Sequence, residues 1–191
     1  TAISENQWYM MHLTNAGGTA RRFTAANAER FNRTAINPGT DDFAVSGWVY
    51  FDTLSANSQI INCGAGSNGS NGFNVFARSN GSVTMYFNDS VQGSRLATTC
   101  TSVFAAGQWY HWVINFDRDG NMDLIVDGTS KCTVDISSHS ASLDPATDLF
   151  LGMFSPTVEH LDGRLARIIW HTTLLDSDDI TLLNNDGKGK F

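Results

Sequence analysis

The clearest pattern of apolar and polar positions spans residues 108–128 and predicts a β-hairpin. Large apolar side chains recur at every second position through residues 110–116 and again through residues 122–126, the period of a strand that buries one face. Between them, Asp119 and Gly120 tolerate the positive φ of a tight reversal. An isolated hairpin is only marginally stable in water, so we expect further strands and a second layer to cover its apolar face.

The rest of the chain predicts these further strands. Residues 43–51 carry apolar side chains on both faces, which is typical of a central strand. Shorter strands are predicted around Phe23 and Phe31 and at residues 59–63, 73–77, 83–87, 97–103, 131–136, 148–154 and 164–171. A single helix is predicted at residues 178–185, capped by Asp176 or Ser177 and ended by Gly187. The pattern therefore predicts an all-β fold, a two-sheet antiparallel jelly-roll sandwich with one short C-terminal helix.

Residues 1–18 differ from the remainder and are treated as a separate segment. An apolar group at residues 8–11 has no clear period, and an Asn-Ala-Gly-Gly joint follows at residues 15–18. Two interpretations stay open: an extra strand along the domain, or an arm that docks on another subunit or protein. Residues 19–191 show no repeat and predict a single jelly-roll domain.

Composition and charge narrow the class of partner. The net charge is −7, with sixteen Asp against three Glu, and the only local basic cluster comprises Arg21, Arg22, Arg30 and Arg33. Because a nucleic-acid surface needs a basic stripe, we expect no nucleic-acid partner. There is no apolar run of membrane-spanning length and no signal-peptide pattern at the start, so no membrane insertion is expected. Whether a leader segment was removed before Thr1 stays open.

Three cysteines are present, at positions 63, 100 and 132. Cys100 and Cys132 lie in strand-like stretches and can pair if their strands are neighbours. Buried small thiols are common in protein cores, so we favour three free cysteines over one bridge.

Four segments occur in an order that resembles a known family. They are FAVSGWVYF at residues 43–51, GQWYHWVINFDRDGNMDLIVDG at 107–128, DLFLGMF at 148–154 and HLDGRLARIIWHTTLLDSDDITLLNND at 160–186. Together they resemble the laminin G-like branch of the concanavalin A-like lectin/glucanase superfamily over about residues 22–187. The resemblance implies a twisted jelly roll with one concave sheet and loops along its rim.

This scaffold carries lectins, adhesion modules, hydrolases and viral surface proteins, so function depends on the site. The hydrolases of the superfamily share an E-x-D-x-x-E strand, which this sequence lacks, and we therefore predict no enzyme. We expect a non-catalytic recognition or adhesion module, extracellular or on a virion surface, that binds a glycan or cell-surface ligand through rim loops. The first alternative is a virion structural protein, such as a capsid decoration, fibre or coat component, held to copies of itself or to a capsid protein by residues 1–18. A polysaccharide-active enzyme is the third hypothesis.

Candidate site residues follow from the chemistry of such ligands. Sugars need an aromatic platform beside hydrogen-bonding side chains, and a Gly- and Ser-rich loop at residues 64–72, expected to be mobile, offers amides. Calcium is the candidate cofactor, because it takes carboxylate oxygens from loops. The predicted ligand-binding residues are Trp109, Tyr86, Asn68 and Asn71, and the predicted metal ligands are Asp144, Asp148 and Asp162.

Overall fold

A computed structural model describes residues 8–11, 20–24, 31–34, 36–54, 56–64, 70–89, 91, 93–145, 148–155 and 158–187. In chain order its elements are β1 (Trp8–Met11), β2 (Arg21–Phe23), β3 (Phe31–Arg33), β4 (Phe43–Phe51), β5 (Ser58–Cys63), β6 (Gly72–Ala77), β7 (Val83–Asn88), β8 (Leu96–Cys100), β9 (Trp109–Phe116), β10 (Asn121–Val126), β11 (Thr129–Asp135), β12 (Leu149–Leu151), β13 (Met153–Ser155), β14 (Val158–His160), β15 (Gly163–His171) and α1 (Ser177–Gly187).

The strands form two antiparallel sheets packed face to face. One is seven-stranded, in the order β1-β15-β4-β9-β10-β11 with β2 also beside β15, and the other is six-stranded, in the order β3-β12-β5-β6-β7-β8. Alternate side chains of both sheets fill one core, where the Phe43 ring stacks on Phe116 at 4.3 Å and on Trp170 at 4.7 Å. The predicted all-β jelly-roll sandwich with one short helix is confirmed.

The predicted central hairpin is formed by β9 and β10. Their register runs from Met122 opposite Phe116 to Val126 opposite Trp112. The reversal closes through the Asp117 amide, which donates to the Asn121 carbonyl at 3.0 Å. β4 lies beside β9 in the middle of the seven-stranded sheet, as predicted from its apolar side chains on both faces.

The helix covers part of the outer face of the seven-stranded sheet. The Asp176 carboxylate caps it, accepting the amides of Asp178 and Asp179 at 2.9 Å. Ile180 then packs in a small cluster with Val113 and other apolar residues of the sheet. This helix is too short and too polar to span a membrane, and the described part of the chain contains no helix that does so.

Residues 148–154 were predicted to form one strand, and that prediction is wrong. Gly152 adopts φ +76°, which ends β12 and starts β13, and β13 pairs with β14 as a separate two-stranded sheet. A Cβ at position 152 would lie 2.4 Å from the Phe23 ring, so the close approach to Phe23 requires glycine. The continuous apolar run hid this break, and β14 was not predicted.

The preference for three free cysteines is also wrong. Cys100 on β8 and Cys132 on β11 form a disulfide, with their Cα atoms 5.6 Å apart. Each strand is the last in its sheet, so the bridge joins the two sheets along one side of the sandwich. Cys63 is free and buried, and burial, followed by the nearby Asp148 charge, raises its thiol pKa to about 12.

The N-terminal segment is described only at residues 8–11. They form β1, which pairs with β15 from Trp8 opposite His171 to Met11 opposite Ile168, as expected for an extra strand along the domain. The rest of residues 1–18 lies outside the described residues, so the predicted division at residue 18 stays a prediction.

Candidate ligand-binding site

The outer face of the six-stranded sheet carries a row of five side chains, one from each of five adjacent strands. The register places opposite one another Asn32 on β3, Phe150 on β12, Asn62 on β5, Asn74 on β6 and Tyr86 on β7. Their chain neighbours, such as Leu149, Val75 and Phe87, point into the core, so this row points outward. At about 4.8 Å between strands, the row spans about 19 Å. We call it the amide–aromatic strip.

Burial varies along the strip. Asn62 and Asn74, at its middle, are 7% and 1% exposed, whereas Phe150 and Tyr86 are partly exposed and Asn32 is exposed. Amide groups donate and accept hydrogen bonds, and aromatic rings offer flat apolar surface. The strip therefore exposes Asn32 and the rings of Phe150 and Tyr86, while Asn62 and Asn74 lie buried between them.

Cations and further aromatic residues surround Tyr86. The Arg95 guanidinium carbon lies 3.8 Å from the centroid of the Tyr86 ring. The ring of Phe76, on the neighbouring strand β6, has its centroid 5.6 Å from that of Tyr86. Arg78 lies over Phe76 at 5.5 Å, and its Nε donates to Thr84 Oγ1 at 2.7 Å. These contacts hold the side chains around Tyr86 in defined positions.

Gln59 is a fully buried amide beside the strip. Its Nε2 donates to Asn74 Oδ1 at 2.6 Å and contacts the carbonyls of Ile61 and Val75, at the register shift between β5 and β6. Its Oε1 is buried and has no hydrogen-bond partner among the described residues. A buried acceptor without a partner costs about 1–3 kcal/mol, so this oxygen is a locally unfavourable feature beside the strip.

The end of the sandwich next to the strip contains three of the predicted site residues. Asn71 donates from Nδ2 to the Asp144 carbonyl at 2.9 Å, and the Asp144 carboxylate accepts from Asn37 at 2.9 Å. The Asp148 carboxylate accepts from Asn32 of the strip at 3.2 Å. We call this region the loop end. Asn68 was predicted to bind ligand and lies outside the described residues, as does most of the loop at 64–72.

The other predicted residues lie elsewhere. Asp162 accepts from Thr53 at 2.9 Å beyond the end of β4, at the opposite end of the sandwich from Asp144. Trp109 lies on the outer face of the seven-stranded sheet, so Trp109 and Tyr86 are on opposite faces of the molecule. The aromatic residues named from the sequence therefore do not form one platform.

The three residues predicted to bind calcium lie at two different ends of the sandwich. Calcium takes six to eight oxygen ligands at once. Asp144 and Asp148 are both at the loop end, but Asp162 is not, and in the described ranges no three acidic, His or Cys side chains gather as a metal site. The three predicted ligands are not brought together, and calcium binding stays a prediction.

Arg118 organises the loop end and was not singled out from the sequence. Its guanidinium is 2% exposed and donates at 2.6–3.1 Å to three loop carbonyls, those of Gly39, His139 and Ala141. Its carbon lies 5.2 Å from the Phe87 ring centroid. Burial lowers the pKa of Arg118, and the charges of Asp89 and Asp42 act in the opposite direction. Its position inside a turn-like Asp-Arg-Asp-Gly segment gives no sign of this role.

His171 is a buried titratable group on the seven-stranded sheet. It is 2% exposed, and its Nε2 hydrogen-bonds Ser46 Oγ at 2.9 Å. Burial lowers its pKa from 6.5 to about 4, because the imidazolium form loses its hydration there. His171 is therefore neutral at physiological pH.

Tyr86 is the one member of the strip that the sequence identified. Asn62, Asn74 and Phe150 were missed, although their strands were predicted, because the alternation does not say which residues lie opposite one another. The signal that was available is the amide or aromatic side chain at each outward position of residues 73–77 and 83–87.

Comparison with solved structures finds similar sandwiches among toxin binding domains. The binding domain of Paraclostridial Mosquitocidal Protein 1 matches with a TM-score of 0.68 at 13% identity, over 84% of this chain and 42% of that one. The receptor binding domain of botulinum neurotoxin D matches at 0.67 and 14%, over 88% and 44%. The serotype D ligand binding domain in complex with N-acetylneuraminic acid matches at 0.62 and 14%, over 83% and 39%. The chain thus spans less than half of each of these domains.

All three neighbours are binding domains by name, and at 13–14% identity the likeness shows that they share the fold of this chain. No curated protein matches the sequence. The laminin G family model, described as the concanavalin A-like lectin/glucanases superfamily, matches residues 18–181. Because that match takes in most of the sequence, the chain belongs to the laminin G branch of the concanavalin A-like lectin/glucanases superfamily.

Proposed function

We propose that this chain is a glycan-binding module that holds its ligand on the amide–aromatic strip and does not cleave it. The observation that carries the proposal is the row of three amides and two aromatic rings across five strands on an outward sheet face. A sugar presents hydroxyl groups at its edge and C–H groups on its face, which match amides and rings respectively.

One comparison also supports a sugar ligand. A structural neighbour, the serotype D ligand binding domain, is named in complex with N-acetylneuraminic acid. Binding at a cell or particle surface, outside the cell, is part of the same proposal, since such glycans are displayed there.

The test is a broad glycan screen on the purified chain, followed by titration of the best ligand against variants. Tyr86→Ala and Phe150→Ala each remove one partly exposed ring, and we expect affinity to fall about three- to tenfold, from the 0.5–1.5 kcal/mol of one aromatic contact. Leu182→Ala is the matched control, because Leu182 is 52% exposed on the helix, which packs on the other sheet. Equal loss in all three variants, or no ligand in the screen, contradicts the proposal, and so does a ligand whose mass shows cleavage.

Calcium is proposed as a cofactor only at the loop end, and the same screen tests it. Run once with calcium and once with chelator, it separates two outcomes. Binding lost in chelator and also in Asp144→Asn or Asp148→Asn supports calcium at the loop end. Binding that survives chelator assigns recognition to the protein side chains and ends the calcium proposal.

A second candidate function is assembly with other copies or a capsid protein. It is favoured by β1, the outermost strand of its sheet, whose second backbone edge pairs with no strand among the described residues. Deleting residues 1–18 tests it. Loss of an oligomer with the fold retained supports assembly, and an unchanged oligomeric state contradicts it.

A further inference from the structure

The outer face of the seven-stranded sheet carries a different row, of two arginines and two aromatic residues. The register places Arg22 on β2 opposite Arg164 on β15, Arg164 opposite Tyr50 on β4, and Tyr50 opposite Trp109 on β9. The Arg164 guanidinium carbon lies 4.6 Å from the Tyr50 ring centroid, and the Tyr50 and Trp109 rings are 5.6 Å apart. We call it the arginine–aromatic row.

The two arginines of this row contact the same aspartate. Arg22 Nε lies 3.4 Å from Asp52 Oδ2 and Arg164 Nη1 lies 3.1 Å from Asp52 Oδ1, so two guanidinium groups share one carboxylate. The Arg22 and Arg164 side chains are 58% and 34% exposed. A second carboxylate, that of Asp162, lies beside Asp52 and accepts from Thr53 at 2.9 Å, while neither ion pair of the two arginines involves it.

The pairing of the two arginines contributes little to the stability of the sheet. Like charges directly opposite each other on adjacent strands destabilise a sheet, and exposed ion pairs contribute at most about 1 kcal/mol. The chain as a whole is acidic, at −7, yet here it pairs two cations side by side. Each guanidinium has five N–H donors, and one of its nitrogens contacts Asp52. The other nitrogens have donors with which to bind an external anion.

We propose that the arginine–aromatic row is a second binding site, for an acidic glycan that carries carboxylate or sulfate groups. The guanidinium groups of Arg22 and Arg164 bind the anion, and the rings of Tyr50 and Trp109 pack on the sugar face. The site lies on the opposite sheet from the amide–aromatic strip, so it stands or falls independently of the proposed function. The rings favour a sugar over an acidic peptide, whose backbone offers no comparable flat apolar face.

The experiment measures binding of defined probes to the full chain by calorimetry. The probes are a heparin-derived hexasaccharide, a hyaluronan hexasaccharide, uncharged maltohexaose and a hexaglutamate peptide. We expect one or both acidic hexasaccharides to bind more tightly than maltohexaose and hexaglutamate, with affinity falling as salt rises.

Four variants locate the site. Arg22→Ala and Arg164→Ala should each weaken the acidic hexasaccharide about tenfold or more, which corresponds to one charge-assisted hydrogen bond. Trp109→Ala should weaken it severalfold. Lys131→Ala removes an exposed cation from β11 and is the matched control, with less than a twofold effect expected. Arg22→Ala should disturb the fold least of the variants in the row, because the Arg22 side chain is more than half exposed.

Three outcomes overturn the inference. One is that neither acidic hexasaccharide binds. Another is that Lys131→Ala costs as much as Arg22→Ala, which indicates unspecific charge attraction. The third is that hexaglutamate binds equally and Trp109→Ala has no effect, which makes the row a surface for acidic peptides. Tyr86→Ala, on the other sheet, should leave acidic binding intact even if the proposed function fails.

Discussion

Acidification should destabilise this protein through a single buried histidine. His171 is 2% exposed and shares a hydrogen bond with Ser46, and burial lowers its pKa from 6.5 to about 4. The unfolded chain therefore takes up a proton at this residue near pH 6.5, whereas the folded chain does not until about pH 4. Because the unfolded state binds more protons within that window, stability falls as the pH is lowered through it.

The size of the effect follows from the two pKa values. Each pH unit below 6.5 costs about 1.4 kcal/mol, so the free energy of unfolding should drop by about 2 kcal/mol between pH 6.5 and pH 5 and by about 3 kcal/mol at pH 4. Above pH 7 the histidine contributes no pH dependence. A loss of this size is a large share of the 5–15 kcal/mol that stabilises a typical domain.

The assay is urea unfolding, followed by tryptophan fluorescence at several pH values from 8 to 4.5. His171→Gln keeps a neutral polar group at this position. Between pH 6.5 and pH 5, its free energy of unfolding should fall by about 2 kcal/mol less than that of the wild type. Leu182→Ala, at an exposed residue without a titratable group, is the control and should keep the wild-type slope. Equal slopes in wild type and His171→Gln would refute the reasoning, whatever the absolute stabilities.

Three further predictions concern the scaffold. Replacing Cys100 and Cys132 by Ser should lower the free energy of unfolding by about 3–4 kcal/mol in guanidinium titrations, because the bridge closes a loop with a sequence separation of 32. A wild-type stability that does not change with reductant would contradict this prediction. Arg118→Ala should cost about 3 kcal/mol or more in the same titration, since it leaves three loop carbonyls without their donor, and a cost below 1 kcal/mol would argue against this role. Gly152→Ala should lower Tm, because the positive φ costs a non-glycine residue about 1–3 kcal/mol and the added Cβ clashes with the Phe23 ring. An unchanged Tm would contradict the close approach of Gly152 to Phe23.

The strands were predictable wherever their information is local. The hairpin of β9 and β10 alternates at every position and turns at Asp119-Gly120, so its residues alone fix it. Gly152 shows the limit. Its run is apolar throughout, and the break there depends on Phe23, a residue far away in sequence. The disulfide was missed for the same reason, because Cys100 and Cys132 meet only when two sheet edges come together.

The candidate site was predictable in residue type and not in position. Tyr86 lies on the strip and Asn71 at the loop end, and ligand binding by both stays a prediction, whereas Tyr86 and Trp109 proved to be on opposite faces. Which residues lie opposite Tyr86 depends on the register of five strands, and a shift of one residue would replace every member of the strip. No alternation pattern in a single strand contains that information.

The two outer faces of the sandwich differ in the polarity of their buried residues. On the seven-stranded sheet, Val113 and Ile125 are apolar and α1 covers them, which is the usual solution for an outward face that serves stability. On the six-stranded sheet, outward positions hold the buried amides of Asn62, Asn74 and Gln59, and Gln59 Oε1 has no partner among the described residues. Polar groups in that condition cost stability, and apolar residues of similar size would avoid the cost. The outward face of this sheet therefore carries polar groups where stability alone favours apolar ones, and this contrast with the seven-stranded sheet is the physical basis for proposing the strip as a binding surface.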